Sequence, residues 1–429
     1  ILRKNQKQEK RLPSITINLR EGRRIDVSEP RFIQIHYLTP YHSSLLNRDE
    51  LGLAKRIPFG GTSRIRISSQ CLKRHWREYE GEYSLKSITE NIYNLDMSVR
   101  SRRIFENEIA KPLLTKGYKE SHLYKALENL VNTVLGINLK RKKKTEKALN
   151  IRTPQLVVLG RPEIKYLKNL TEELIDGASS DKEIEERCSK KIQKGELKKN
   201  LQALDRASGL DAALFGRMVT ADILSRSDAA VHVAHAFSVH EEETETDFFT
   251  AVDDLVKAEG KPGSGYINET ELTSNIYYGY VVVDVPQLVS NLEGVDRKDW
   301  AKADRTLSAR IVHNLVHIIA TVSPGAKLGS TAPYSRAAAM MIESGDSQPR
   351  TLANAYIKPV SLKSGSDPLQ ESVDAMGIHL KRLDSVYGKN EKRRVVSIQE
   401  IDDDFPAEKC DSINNLAAWV LNQIEGGEQ

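Results

Sequence analysis

The sequence predicts an α+β fold in which sheet-forming segments near both ends of the chain are separated by a long helical insertion. Three observations predict it. Period-two alternation marks "RFIQIHYL" (31–38), "SRIRIS" (63–68) and "SNIYYGYVVVDV" (274–285) as strands. From about Gln70 to Leu204 the chain instead reads as mostly helical and charged. Finally, "ADRTLSARIVHNLVHIIATV" (303–322) sets Leu307, Ile311, Leu315, Ile318, Ile319 and Val322 at helical spacing, the stripe of an amphipathic helix packed on a sheet. Strands at the ends with helices between them read as a palm interrupted by a helical lobe.

Taken in order, residues 1–30 are basic, irregular and open on Ile, and are set aside as an extension of unclear origin. In 31–38, Ile33, Ile35 and Tyr37 fall on one face and Gln34 and His36 on the other. In 63–68, Arg64, Arg66 and Ser68 oppose Ile65 and Ile67. "LYKALENLVNTVL" (123–135) is a helix, and the basic "KRKKK" (140–144) after it reads as a solvated loop or helix end. Residues 161–200 show no sustained apolar stripe and read as exposed helices broken at "DGASS". "AAVHVAHAFSVH" (229–240) alternates like a strand, and "AAAMMIES" (337–344) and "TLANAYIKPV" (351–360) are candidates for further strands. No internal repeat is present.

Composition narrows the classes. The 429 residues are 39% hydrophobic and 29% charged, with no apolar run long enough to span a membrane. Cys71, Cys188 and Cys410 are scattered, which argues for a reducing, cytoplasmic setting and against a disulfide or zinc framework. Net charge is only +5, but Lys55, Arg56, Arg64, Arg66, Lys73, Arg74 and Arg77 lie between Leu51 and Arg77 without one acid. "EEETETD" (241–247) and "DDD" (402–404) balance them elsewhere. A confined basic patch on a near-neutral chain implies one anionic ligand site.

That patch centres on "FGGTSRIRISSQCLKRHWR" (59–77). Gly60-Gly61 permits a tight turn or a close approach to a ligand. Ser68 or Ser69 is a natural N-cap for a helix from Gln70, along which Lys73 and Arg77 stand four residues apart. A helix N-terminus, serine hydroxyls and basic side chains together can hold phosphate. Two readings stand on these residues: a phosphate cradle, and an exposed basic corner that binds nothing. Strict alternation running into Ser-Ser-Gln and helical cations favours the first. No nucleotide P-loop is present, since "PGAKLGS" (324–330) lacks its spacing, so a polyanion backbone fits better than a nucleoside triphosphate.

Other signals carry less. On a strand, His232 and His240 stand roughly 26 Å apart and His235 points to the opposite face, so the three share no zinc. Asp253 and Asp254 lack a third ligand. The RNP1 signature is absent, and Tyr277, Tyr278 and Tyr280 read as sheet packing before base stacking. Neither a metal nor a cofactor is expected.

With these residues in place, "LLNRDELGLAKRIPFGGTSRIRISSQCLKRHWR" (45–77) closely resembles the start of the CRISPR-associated CasC family, the backbone subunit of the type I-E Cascade surveillance complex. "DAALFGRMVTADI" (211–223), "VAHAFSVH…DFFTAVDDL" (233–255) and "ATVSPGAK" (320–327) resemble that family in the same order. The resemblance implies a modified RRM-like (ferredoxin-like) palm, a large helical fingers insertion and a projecting thumb loop. Mapped onto this chain, the palm is 31–76, 211–240 and 276–429 with the C-terminal region, the fingers are 77–210, and the thumb is 241–275.

The same resemblance implies a non-catalytic protein whose copies stack along one guide RNA (crRNA). Each copy holds phosphates in its palm, a neighbour's thumb interrupts the bases at intervals, and the segments between pair with target DNA. Other Cascade subunits (large, small, guide-end-capping and crRNA-processing) are the implied partners. Implied RNA contacts are Arg48, the corner residues Ser68, Gln70, Lys73 and Arg77 with their neighbours Arg64, Arg66, Ser69 and Arg74, Met218 against a displaced base, Thr250, a thumb tip near Tyr266-Ile267, and Lys327. Two alternatives remain: a metal-dependent RNA-cleaving backbone subunit of type III-like complexes, with Asp49 as the acid, and a generic monomeric RRM-like RNA binder.

Overall fold

The computed structural model describes residues 29–91, 95–137, 151–204, 208–217, 224, 227–252, 264–325 and 327–426. Among them no helix is long and apolar enough to cross a membrane. The expectations for "KRKKK", Met218 and Asp253-Asp254 fall outside the described residues.

A large, mainly antiparallel sheet organises the chain around β1 (Phe32–Ser44). On one side β1 pairs with β10 (Ala339–Gly345), followed by β11 (Lys392–Ser397) and the short β12 (Glu408–Lys409). On the other it pairs with β9 (Ser264–Asp284), then β7 (Ala236–Ser238), β3 (Thr62–Ile67) and β2 (Arg56–Phe59). β6 (Val231–Val233) also pairs with β9, so the segment read as one strand over 229–240 is two short ones. The distal half of β9 pairs with β8 (Thr244–Val252), forming a long hairpin whose β8 residues are exposed from Thr244 to Thr250.

Alternation in β1 sorts its side chains correctly but does not say what covers them. Ile33, Ile35 and Tyr37 join one core with the helices Val285–Glu293, Thr306–Thr321 and Ile413–Glu425. Leu307, Ile311, Leu315, Ile318 and Ile319 of the second helix are all buried there, as its spacing requires. Gln34, His36 and Leu38 are buried too, because the helix Pro368–Tyr387 and residues 351–356 cover the opposite face. The latter segment is a short helical turn, Ala353–Tyr356, and not a strand. Tyr277 and Tyr278 are 1% exposed, so neither is open to stack on a base.

The charged side chains enclosed on that second face are set in ion pairs. Glu343 takes a two-pronged bond from Arg350 on its two oxygens (2.5 and 3.0 Å), and Arg393 Nε lies 2.7 Å from one of them, Oε1. Arg393 also donates to Asp384 (2.5 and 2.8 Å) and Glu391 (3.2 Å). His36 Nδ1 meets the Tyr278 hydroxyl at 2.9 Å.

The helical lobe has its own core. Leu123, Leu127, Leu130, Val131 and Val134 of the helix Glu120–Leu135 are buried with Ile164, Leu167 and Leu174 of Arg161–Ile175. Ile184 and Cys188 of Asp181–Lys191 and Leu197 and Leu201 of Lys194–Gln202 complete it. Residues 161–200 therefore carry a stripe after all; it is thin and interrupted by charges, and it shows only once the partner helices are in place. The break at residues 176–180 is where "DGASS" put it. A two-stranded ribbon, β4 (Val99–Ser101) with β5 (Val157–Leu159), lies within this otherwise helical stretch and was not foreseen.

Candidate nucleic-acid interface

β2 and β3 are joined by Gly60-Gly61, both with positive φ (62° and 81°), the turn that a two-residue hairpin needs. A Cβ on Gly60 would lie 1.8 Å from the Ile357 carbonyl oxygen. The glycine pair thus serves the turn and its packing on the neighbouring backbone. β3 then runs into the helix Ser69–Glu78 at a capped corner: the Ser68 hydroxyl accepts from Cys71 N (3.3 Å), and Asn47 Oδ1 accepts from Ser68 N (2.9 Å). Leu72 and Trp76, four residues apart, anchor the helix in the main core. That fixes which side faces out. Gln70 and Arg74 are exposed, and Ser69, Lys73 and Arg77 are half-buried at the rim.

The rim gathers more charge than the local sequence contains. Arg100 of β4 joins Lys73 and Arg77 there. Burial lowers the pKa of Lys73, and Arg100 lowers it further. Burial also lowers Arg100, Arg77 adds to that, and Asp211 partly opposes it. Asp211 lies 3.6 Å from Arg100, but its two oxygens already accept from the Ser98 N–H and hydroxyl, each at 2.8 Å. The Lys73 ammonium stands 5.8 Å over the Phe215 ring, and Arg77 has an exposed bond to Glu78 at 3.1 Å. Arg100 repels both Lys73 and Arg77, and little counter-charge is at hand, so the three form a site that an anion would stabilise. Arg100 was missed in the sequence because nothing local ties "MSVRS" to the corner; the bonds from Ser98 to Asp211 and the ribbon β4–β5 place it only in the folded chain.

The remaining candidates separate. Arg66 is part-exposed; its Nη1 donates to His235 Nδ1 (2.9 Å), an acceptor because burial first, then Arg66 and Lys55, lower that imidazole. Arg48 is exposed on the loop after β1. In that loop the Asp49 carboxylate accepts from Leu51 N (2.9 Å) and Leu53 N (3.0 Å), so it orders the turn. Arg74 is exposed and bonds Glu78 at 3.0 Å. Arg64 is a correction: it is 0% exposed, and its guanidinium donates to the Ser238 and Tyr356 carbonyls (2.9 and 3.0 Å) and to the Thr62 hydroxyl (2.9 Å). The alternation that set it beside Arg66 could not show the lid of residues 356–357 above it.

Thr250 lies far out on the hairpin, exposed and across from Ile267, with Tyr266 across from Ala251. Tyr266 and Ile267, expected near the thumb tip, are thus within a paired strand, and residues 253–263 lie outside the described residues. Lys327 sits beside this hairpin, bonded to the Thr270 hydroxyl and 5.6 Å over the Phe249 ring. The three histidines are engaged separately: His232 with the Ala229 carbonyl (3.0 Å), His235 with Arg66, and His240 with the Glu241 carbonyl (2.7 Å) and Ile276 N (3.1 Å).

Fold and site together define an α+β protein with a helix-capped cationic corner, a separately packed helical lobe and an extended hairpin. The CT1975-like protein family of Cas proteins matches residues 33–420, and the chain belongs to it. A chain from a structure titled "CRISPR RNA-guided surveillance complex, pre-nicking" is similar, with 26% identity and a TM-score of 0.73 over 92% of this chain and 100% of that one. A chain from a "CRISPR RNA-guided surveillance complex" shares the fold, with 21% identity and a TM-score of 0.52 over 91% and 98%. No curated protein matches the sequence.

Proposed function

We propose that this chain is a non-catalytic, crRNA-binding backbone subunit of a Cascade-type surveillance complex, of type I-E, with copies polymerising along the guide and presenting it to target DNA. The observation that carries this reading is the convergence of Lys73, Arg77 and Arg100 beside the capped helix. At an effective dielectric of about 20, a phosphate charge 4 Å from one cation gains about 4 kcal/mol before desolvation. The same phosphate would also relieve the repulsion among the three. A grip built from point charges and forks reads backbone and not sequence, which suits a subunit that must hold any guide.

The RRM-like reading of the palm is supported by the central strand order β10-β1-β9-β7. It is antiparallel throughout and matches the 4-1-3-2 order of a split βαβ unit. Its sheet faces are covered, so binding is assigned to the corner and not to sheet aromatics. The backbone amides held by Asp49 favour loop ordering over metal-dependent cutting. The remaining partners are the other Cascade subunits.

Co-expression with a CRISPR array tests the reading. Purified assemblies should carry one discrete, repeat-derived RNA, and the number of chains per RNA should rise as the guide is lengthened. Absence of RNA, or a fixed single chain on guides of any length, would overturn it. Metal-dependent RNA cutting that is lost in Asp49→Ala would replace it with the cleaving alternative.

A further inference from the structure

The β8–β9 hairpin is held at its root from both sides. Neighbouring residues on a strand project to opposite faces, so Thr270 and Glu271 of β9 face opposite ways. Glu271 is taken by Arg56 of β2, through Nη2 and Nη1, and its Oε2 accepts from Ala54 N at 2.5 Å. Arg56 Nε also donates to Glu242 (2.7 Å), which accepts the Ser63 hydroxyl (2.9 Å), while Arg56 Nη1 donates to the Ala54 carbonyl (2.9 Å). On the other face the Lys327 ammonium, from the loop after the helix Thr306–Thr321, bonds Thr270 and covers the Phe249 ring. Beyond these points Phe248 is 65% exposed, and Asn268 and Glu269 are exposed.

We infer that Arg56 and Lys327 form a two-sided clasp that sets the angle of the β8–β9 hairpin on the sheet, so that both are positioning residues for the thumb. This rests on the proposed function for its consequence, since the distance from corner to thumb would fix which guide bases are interrupted. It also gives Lys327 a partner within the chain in place of a phosphate. Arg56 suits the task because its planar fork reaches two carboxylates and a carbonyl at once, which an ammonium cannot do.

Hydrogen exchange on the full-length chain without RNA tests the clasp. Arg56→Ala and Lys327→Ala should each speed exchange across 244–252 and 264–273 by about tenfold, with the corner helix unchanged. Arg56→Lys should fail to restore protection. Unchanged hairpin exchange in both alanine variants overturns the clasp. In assembled complexes, chemical probing of the guide should keep normal affinity and salt dependence but lose its repeating contrast. Loss of affinity and salt slope with the contrast intact in Lys327→Ala would make that lysine a phosphate ligand and overturn its place in the clasp. A wild-type assembly without RNA would defeat the functional reading alone, and exchange would still judge the clasp.

Discussion

Two clusters of basic side chains in this chain have opposite surroundings. At the corner, Arg100 faces one occupied carboxylate, Arg77 has a weak exposed pair with Glu78, and Lys73 stands over the Phe215 ring. On the covered sheet face, Arg350 and Arg393 are matched by Glu343, Asp384 and Glu391, with Glu343 fully buried. The residue types are the same. What differs is the count of counter-charges within reach and the water removed, and those two quantities decide whether a cation serves the fold or a ligand.

The comparison breaks most sharply at Glu343. Glu343→Ala leaves Arg350 and Arg393 with too little negative charge and should cost about 3–5 kcal/mol in denaturant unfolding. A loss below about 1 kcal/mol would mean that Asp384 and Glu391 suffice without it. Arg64 comes next: Arg64→Ala orphans two buried carbonyls and should cost about 2 kcal/mol while leaving the salt slope of RNA binding intact. A changed slope at full stability would return Arg64 to the ligand set.

The corner should behave in reverse. The triple variant Lys73→Ala, Arg77→Ala, Arg100→Ala should retain or gain stability, because mutual repulsion is removed. Its log-affinity against log-salt slope for single-stranded RNA should flatten by about 2, at about 0.7 per phosphate contact. An unflattened slope would remove these residues from the interface.

Acid should separate the clusters more gently. Burial holds His36 below its ordinary value of 6.5 against the opposing pull of Glu343, so the unfolded chain takes up a proton that the fold does not. Glu343 is pushed up by burial but held well below the ordinary carboxylate range by His36 and Arg350, so its stabilisation begins to fall as pH drops into that range and is lost only below it. Both terms lower stability as pH drops. Urea midpoints at about pH 7, 5.5 and 4 should fall in step for the wild type and the corner triple variant, and less for a His36→Gln chain between the first two. A midpoint that rises on acidification would contradict the buried pairing.

Much was legible where the physics is local. Ser68 as N-cap, the helix through Ile311 and Leu315, the alternation of β1 and the break at 176–180 all follow from hydrogen-bond reach and periodicity over a few residues. Strands were misread where burial comes from elsewhere: 351–360 became the lid over Arg64, and 229–240 was split to follow β9. The pairing of β9 with β8, which sets Tyr266 and Ile267 across from Ala251 and Thr250, could not be seen from composition.

By itself, the sequence determined that a basic strand must turn into a capped helix between Ser63 and Glu78, since each step depends on neighbours in the chain. The tertiary structure alone decided which cations stay free to bind. Arg64 is closed off from any ligand because its guanidinium is enclosed and donates to the backbone carbonyl of Tyr356, 292 positions away. Arg100 stands beside Lys73 and Arg77 in a segment tied down by Asp211, which accepts from Ser98, 113 positions away. Charge is encoded residue by residue, but desolvation and counter-charge belong to the space around it, and folding sets both.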